Sequence, residues 1–174
     1  IYVFKKIILC LGKNYVNSAT IKKFSFPSLH KSYVGFFDHS IVHNQTAYET
    51  FTPDGPLAVL PAPSKLKKTS TFIYSTPSQV SNNDIQELIK KDFSKSHGFI
   101  NFRKGIYQYK ILPHLSKEKF QQFILIGDIL RSIHPVAGQG WNLGIKDIQT
   151  FITLLNQYNI EDPNILDKYY SYRS

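Results

Sequence analysis

The spacing of hydrophobic and polar positions changes character three times along the chain. Ile7–Leu11 is a short, continuous apolar run ended by Gly12, and it predicts a buried-type strand within Tyr2–Leu11. Cys10 lies inside that run, where a free thiol is expected to act as a small buried hydrophobe. Asn14–Lys23 is polar and reads as a loop. Tyr33–Val42 is rich in aromatic and β-branched residues and predicts a strand. Thr46–Thr52 alternates through Ala47, Tyr48, Glu49 and Phe51, and the turn Pro53-Asp54-Gly55-Pro56 follows. Leu57–Leu60, closed by Pro61 and Pro63, and Thr69–Ser75 complete a series of strands, with Lys65–Lys68 as a solvated turn between them. Short connections join antiparallel neighbours, so this stretch predicts an antiparallel meander.

The rhythm then turns helical. Ser81-Asn82-Asn83-Asp84 offers capping side chains, and Ile85, Leu88, Ile89 and Phe93 recur at helical spacing. Lys90, Lys91 and Lys95 fall toward the end where the helix dipole favours cations, and His97-Gly98 stops the helix. Ile106–Leu112 alternates again as a strand ended by Pro113. Further on, Phe123–Ile126 predicts a buried-type strand running straight into Gly127-Asp128. After a loop with Pro135, Gly138 and Gly140, the residues Trp141, Ile145, Ile148, Ile152 and Leu155 mark one face of an amphipathic helix.

Composition narrows the class. With 42% hydrophobic and 19% charged residues over 174 positions, the chain fits an α/β or α+β protein and not a coiled coil, a collagen or a disordered tail. One cysteine excludes a disulfide framework and a multi-thiolate metal centre, and no metal site is expected. The net charge of +9 raises nucleic acid or an acidic membrane surface as partners. However, 18 of the 21 basic residues are lysines scattered along the chain. Specific phosphate or base recognition favours the planar fork of Arg, so nucleic acid is not the expected partner. There is no methionine and the first residue is Ile1, which points to a processed protein or a part of a longer one.

Chemistry concentrates in the strand–loop–helix of the last third. Gly127 allows close approach of a ligand, and Asp128 places a carboxylate at the carboxyl end of a strand, where ligands of open α/β sheets collect. Ala137-Gly138-Gln139-Gly140 precedes a helix whose unpaired N–H groups and dipole suit an anion or a polarised acceptor. Three readings compete. Gly138-x-Gly140-x-x-x-Gly144 is similar to a dinucleotide fingerprint, yet that fingerprint follows its strand at once, and here 11 residues intervene. A glycine-rich connection without a ligand is the second reading, and a cofactor loop is the third.

Residue identity favours the cofactor loop. The string Gly127-Asp128 … His134-Pro135-Val136-Ala137-Gly138-Gln139-Gly140-Trp141-Asn142-Leu143-Gly144-Ile145-Lys146-Asp147 resembles the second FAD motif of the aromatic-ring flavoprotein monooxygenases. Within that class it is most similar to the ubiquinone-biosynthesis hydroxylases of the UbiH type. Thr46–Pro61 resembles the strand pair of that family's substrate domain, and Leu166-x-x-Tyr169-x-x-x-Arg173 resembles its late helix. The likeness runs over nearly the whole chain.

The resemblance implies the C-terminal part of a para-hydroxybenzoate-hydroxylase-like fold. Residues 1–32 and 113–174 would be returning pieces of a Rossmann-like FAD domain, and 33–112 a substrate domain with an antiparallel sheet and one helix. It implies FAD as cofactor, NADH or NADPH and O2 as co-substrates, and an aromatic, polyprenylated ubiquinone precursor as substrate. Gly127, Asp128, Pro135, Ala137, Gly138, Gln139, Gly140 and Asn142 would hold the cofactor, with Asp128 on the ribityl chain. His134 and Trp141 are read as packing residues, and no general base is assigned. A cytoplasmic enzyme, peripheral at the inner membrane face and in contact with other ubiquinone-biosynthesis proteins, is the expected setting.

The sequence departs from the family pattern in three places. Ile129, Leu130 and Arg131 stand where the family has small residues and a His, and they fit only if they point away from the cofactor. Leu11-Gly12 replaces an Asp-Gly pair. No strand–GxGxxG–helix for the ADP half of FAD occurs anywhere in the 174 residues. Truncation is therefore expected, and the isolated piece is expected to be inactive and to lose FAD. The alternatives are another aromatic hydroxylase of this class and a non-enzymatic basic interaction domain of flavoprotein-like shape.

Overall fold

The computed structural model describes residues 4–12, 23–26, 28–63, 65–116, 123–133 and 139–173. Among these the strands in chain order are β1 (Ile7–Leu9), β2 (Lys23–Ser25), β3 (Lys31–His39), β4 (Tyr48–Thr52), β5 (Gly55–Pro61) and β6 (Thr69–Thr76). Helix α1 (Asn82–His97) is followed by β7 (Ile100–Phe102), β8 (Tyr107–Lys110), β9 (His114–Ser116), β10 (Phe123–Leu125) and β11 (Arg131–Ser132). Helices α2 (Gln139–Gln157) and α3 (Ile165–Arg173) close the chain. Two compact units result, one formed by Ser28–Ile111 and the other by Ile1–Pro27 with Leu112–Ser174.

In the central unit the Pro53-Asp54-Gly55-Pro56 turn joins β4 to β5 and sets their register, Thr52 opposite Gly55 and Tyr48 opposite Val59. Gly55 has φ +133°, and a Cβ there would stand 2.0 Å from the Ser75 carbonyl oxygen. Only glycine fits. All pairings in this sheet are antiparallel, in the order β4-β5-β6-β3-β7, with β8 also on β3. The expected meander is corrected in one respect: β3 lies beside β6, not β4, because residues 40–47 carry the chain past two strands. Alternation along β3, β5 and β6 puts Phe37, Leu57, Val59 and Phe72 in one core with Ile85, Ile89 and Phe93 of α1. Full burial of side chains of this size contributes about 1.5–3 kcal/mol each.

Helix α1 starts where its capping side chains predict. Ser81 Oγ accepts the Asp84 N–H at 3.2 Å while the Asp84 carboxylate accepts the Ser81 N–H at 3.0 Å. The Ser81 hydroxyl, donating to the Asp84 carboxylate at 2.7 Å, and then the Ser81 N–H hold that carboxyl below its usual range. Gly98, at φ +73°, ends the helix and returns its N–H to the Ser94 carbonyl. Beside that end, three buried histidines meet: the His39 ring lies 4.7 Å from His97 and 6.0 Å from His43, centroid to centroid.

In the second unit β1 and β10 form a parallel pair, and β11, β9 and β2 a small antiparallel sheet. Its core joins Ile124, Leu125, Ile129 and Leu130 to Phe151 and Leu154 of α2 and to Ile165, Leu166, Tyr169 and Tyr170 of α3. Two expectations are corrected here. Ile7, Ile8, Cys10 and Leu11 are exposed, because no third strand or covering helix lies on that side of β1 among the described residues. A parallel sheet ordinarily has both faces covered. Likewise, the stripe Trp141, Ile145, Ile148, Ile152 and Leu155 faces outward, and the buried face of α2 is Asp147, Phe151 and Leu154.

Candidate functional site

The end of β10 turns sharply. Gly127, at φ +74°, begins a 3-10 turn over Gly127–Ile129, and its carbonyl accepts the Leu130 N–H at 2.9 Å. That turn sorts the next side chains. Asp128 is exposed, whereas Ile129 and Leu130 drop into the core. His114 Nε2 donates to the Asp128 carbonyl at 2.7 Å, and Ser116 Oγ donates to the Ile129 carbonyl at 2.7 Å. The backbone around Asp128 is thus fixed from β9 while its carboxylate stays open.

Arg131 also points inward. Its guanidinium meets the carboxylate of Asp147, wholly buried on α2, with Nη2 2.8 Å from Oδ1. Arg173 of α3 donates from Nε to the same oxygen at 2.7 Å and from Nη2 to the Leu143 carbonyl at 3.3 Å. The other carboxylate oxygen accepts the Gly127 N–H at 2.9 Å. A buried charge needs partners of this kind, since an isolated one is strongly disfavoured. The bulk of Ile129, Leu130 and Arg131 therefore lies in the core and the ion-pair network, away from Asp128.

Helix α3 holds the strand from the other side. Tyr169 donates to the Leu125 carbonyl at 2.8 Å and Tyr170 to the Phe123 carbonyl at 2.9 Å. The Tyr170 hydroxyl also accepts the Leu125 N–H at 3.2 Å. Burial pushes the Tyr170 phenol up to about 12 and raises Tyr169 further, so both remain protonated donors.

Facing solvent, a cavity of about 430 Å³ opens between the β10 end and the start of α2. Gly127, Asp128, Gly140, Gly144 and Ile126 line it, with Trp141, Ile145 and Ile148 and, from the other end of the chain, Cys10 and Gly12. Its volume lies in the range of small-molecule sites, roughly 300–1,000 Å³. A Cβ at Gly127 or Gly140 would find no atom within 4 Å, so both glycines border open space. Gly144 packs instead, 3.7 Å from the Gly127 Cα to an ideal Cβ.

Of the residues singled out in the sequence, Gly127, Asp128 and Gly140 come together at this cavity. Gln139 and Asn142 are exposed in the first turn of α2. Pro135, Ala137 and Gly138 lie outside the described residues, as does His134. Trp141 is corrected from a packing residue to a rim residue, 78% exposed. The Asp147–Arg131–Arg173 network was not foreseen. Its signal is present, however: Asp147 falls at the same helical face as Phe151 and Leu154, and an ionised side chain at such a position requires cationic partners.

The squalene epoxidase family model matches residues 78–173. The 3-demethoxyubiquinol 3-hydroxylase of Escherichia coli is 32% identical over 125 residues, covering 63% of this chain and 29% of that protein. Ubiquinone hydroxylase UbiL of Rhodospirillum rubrum is 27% identical over 119 residues, covering 64% and 27%. The chain thus spans less than a third of the length of these relatives. Among solved structures, BrvH, a flavin-dependent halogenase from a Brevundimonas species, superposes with TM-score 0.68 over 97% of this chain and 34% of that one, at 10% identity. The p-nitrophenol 4-monooxygenase PnpA of Pseudomonas putida superposes with TM-score 0.65 over 94% and 44%, at 13% identity. The α/β fold of this chain is that of the flavin-dependent halogenases and monooxygenases.

Proposed function

Because the chain belongs to the squalene epoxidase family, we propose that it is the flavin-facing and substrate-domain part of an FAD-dependent aromatic monooxygenase. The observation that carries this reading is the cavity at which Gly127 and Gly140 border open space beside the exposed Asp128. Apolar walls suit a flat ring system, and a carboxylate at the strand end suits a polyhydroxylated chain. On this reading Asp128 accepts hydrogen bonds from the ribityl hydroxyls, and the N–H groups at the start of α2 face the polar edge of the ring. Pro135, Ala137, Gly138, Gln139 and Asn142 would complete the contact. FAD, when bound, would supply the redox chemistry, with NADH or NADPH as reductant and O2 as oxidant, one oxygen atom going to an aromatic ring and the other leaving as water. The protein's own share is to orient, to exclude water and to favour negative charge at the ring edge through the helix N-terminus.

The names of the relatives support a polyprenylated ubiquinone precursor as substrate. The unit Ser28–Ile111 would then be the substrate domain, and the remaining residues pieces of the FAD domain. Among the described residues no helix is long and apolar enough to cross a membrane. Access to a prenylated substrate would come from peripheral contact with a membrane, helped by the +9 charge, and from other ubiquinone-biosynthesis proteins.

Flavin absorbance after gel filtration tests the reading on two polypeptides. One is the 174-residue chain; the other places a strand–GxGxxG–helix unit of the family ahead of it. The longer chain is expected to stay yellow and the shorter one to lose its colour. A colourless longer chain would overturn the FAD assignment, and a stably yellow shorter chain would overturn the division of the site between them. Asp128→Ala in the longer chain is expected to lower FAD retention, and unchanged retention would remove Asp128 from the site.

A further inference from the structure

The central unit carries a second cleft, separate from the flavin reading, between the flank of α1 and the outer edge of β7. Its volume is about 750 Å³. Among the described residues strand β7 is the last strand on its side of the sheet, bonded only to β3. Ser40 donates to the Phe99 carbonyl and Arg103 donates to the Phe36 carbonyl. In an antiparallel pair, directly bonded residues alternate with unbonded ones. With Asp38 opposite Asn101, the bonded positions are therefore 99, 101 and 103. The N–H and C=O groups of Ile100 and Phe102 consequently point away from β3, and both residues line the cleft. Neither residue's backbone makes another hydrogen bond among the described residues.

The charge beside this edge has one sign. Lys90 and Lys104 line the cleft, and no carboxylate does so among the described residues. Arg103 is already engaged: its guanidinium grips Asp38 through contacts of 2.8, 3.1 and 3.2 Å and so anchors the strand end. Neither lysine is in an ion pair among the described residues. Gln86 and Asn101 add amide donors and acceptors. An open strand edge takes an extended peptide by main-chain pairing, and side chains at alternate positions of the added strand set specificity.

We propose that the β7 edge is a docking site for an extended acidic peptide segment of a partner protein. It would add as a strand through Ile100 and Phe102 and place carboxylates near Lys90 and Lys104. Small anions satisfy the lysines but leave the strand edge unused, so the unbonded main-chain groups of Ile100 and Phe102 favour a peptide.

The test uses the 174-residue chain, isotope-labelled, with two blocked pentapeptides, one alternating Glu and Val and the other Lys and Val. The acidic probe is expected to bind about tenfold more tightly than the basic one, a gap that shrinks with added salt. It should also slow hydrogen exchange at the Ile100 and Phe102 amides. The double variant Lys90→Glu, Lys104→Glu, checked for an unchanged circular dichroism spectrum, should lose about tenfold in affinity for the acidic probe. Equal binding of both probes would overturn the proposal, as would binding without protection of those two amides. Inorganic phosphate shifting the lysine signals and displacing the peptide while the amides stay unprotected would show a small-anion site instead.

Discussion

The backbone N–H of Gly127 donates to the buried carboxylate of Asp147 at 2.9 Å, joining the end of β10 to α2 across 20 positions. This bond fixes where the strand stops and where the following turn must begin. The same carboxylate collects Arg131 and Arg173, so one side chain ties the 3-10 turn, α2 and α3 together. The exposed position of Asp128 depends on that tie, because Asp128 follows directly on the anchored glycine.

Asp147→Ala should therefore be severely destabilising. It leaves two largely buried guanidinium groups and the Gly127 N–H without their acceptor. Removing one partner of a buried pair is strongly unfavourable, about 3–5 kcal/mol. Urea unfolding of the 174-residue chain measures the loss. A change below about 1 kcal/mol, the level of an exposed pair, would show that the network contributes nothing special.

Gly55→Ala tests the hairpin turn. The substitution demands φ +133° from a residue with a Cβ and drives that atom to 2.0 Å from the Ser75 oxygen. A loss of about 1–3 kcal/mol is expected from the backbone conformation alone, with the collision adding to it. Gly140→Ala is the contrast, since its Cβ would meet open space. Thermal unfolding of the two variants should rank Gly55→Ala well below Gly140→Ala.

Local signals explain why parts of this fold were readable in advance. The Pro53–Pro56 turn between alternating runs and the Ser81–Asp84 capping box each specify their element within a few residues. Gly127, Asp128 and Gly140 are named by residue identity and meet at the candidate cavity, while Pro135, Ala137 and Gly138 lie outside the described residues. What stayed hidden depends on distant partners. Periodicity finds the stripe Trp141–Leu155 on α2, but it cannot say that the opposite face is buried, because the burial of Asp147 rests on Arg131 and Arg173. Strands β7, β9 and β11 are two or three residues long, too short for any period to register. The histidine cluster joins positions 39, 43 and 97, which only the folded sheet brings together.

That cluster makes the central unit acid-sensitive. His39 donates from Nδ1 to the Ile41 carbonyl at 2.6 Å and holds Ser70 at Nε2, while His43 accepts the Gln45 N–H at Nδ1. His97 Nε2 is buried with no hydrogen-bond partner among the described residues, so a proton there would find no acceptor. Burial, together with the neighbouring histidines, lowers the affinity of His39 and His97 for protons below the ordinary 6.5. Asp38, beside His39, opposes the shift without reversing it. The unfolded chain thus binds more protons than the folded one below pH 6.5. The stabilisation is complete above that value and is lost as pH falls from it toward the lower folded pKa values. Urea midpoints measured from pH 8 to pH 5 should fall on the acid side, and His97→Phe should flatten the slope. An unchanged slope in that variant would take His97 out of the effect.

Trp141 reports on the cavity directly. It is the chain's single tryptophan, 78% exposed, and it lines the same cavity as Asp128 and Gly140. In the 174-residue chain its emission should be that of a water-exposed indole, open to quenching by iodide or acrylamide. If the cavity holds a flavin in the longer polypeptide, the indole lies beside a strong quencher and its emission should nearly vanish. The difference spectrum against Trp141→Phe isolates this residue from any other tryptophan in that polypeptide. Removing the flavin should restore the emission, and Asp128→Ala should shift the restoration to milder conditions. Emission that stays equally bright in the flavin-loaded and flavin-free forms would place the ring elsewhere and separate the Gly127–Gly140 cavity from the cofactor.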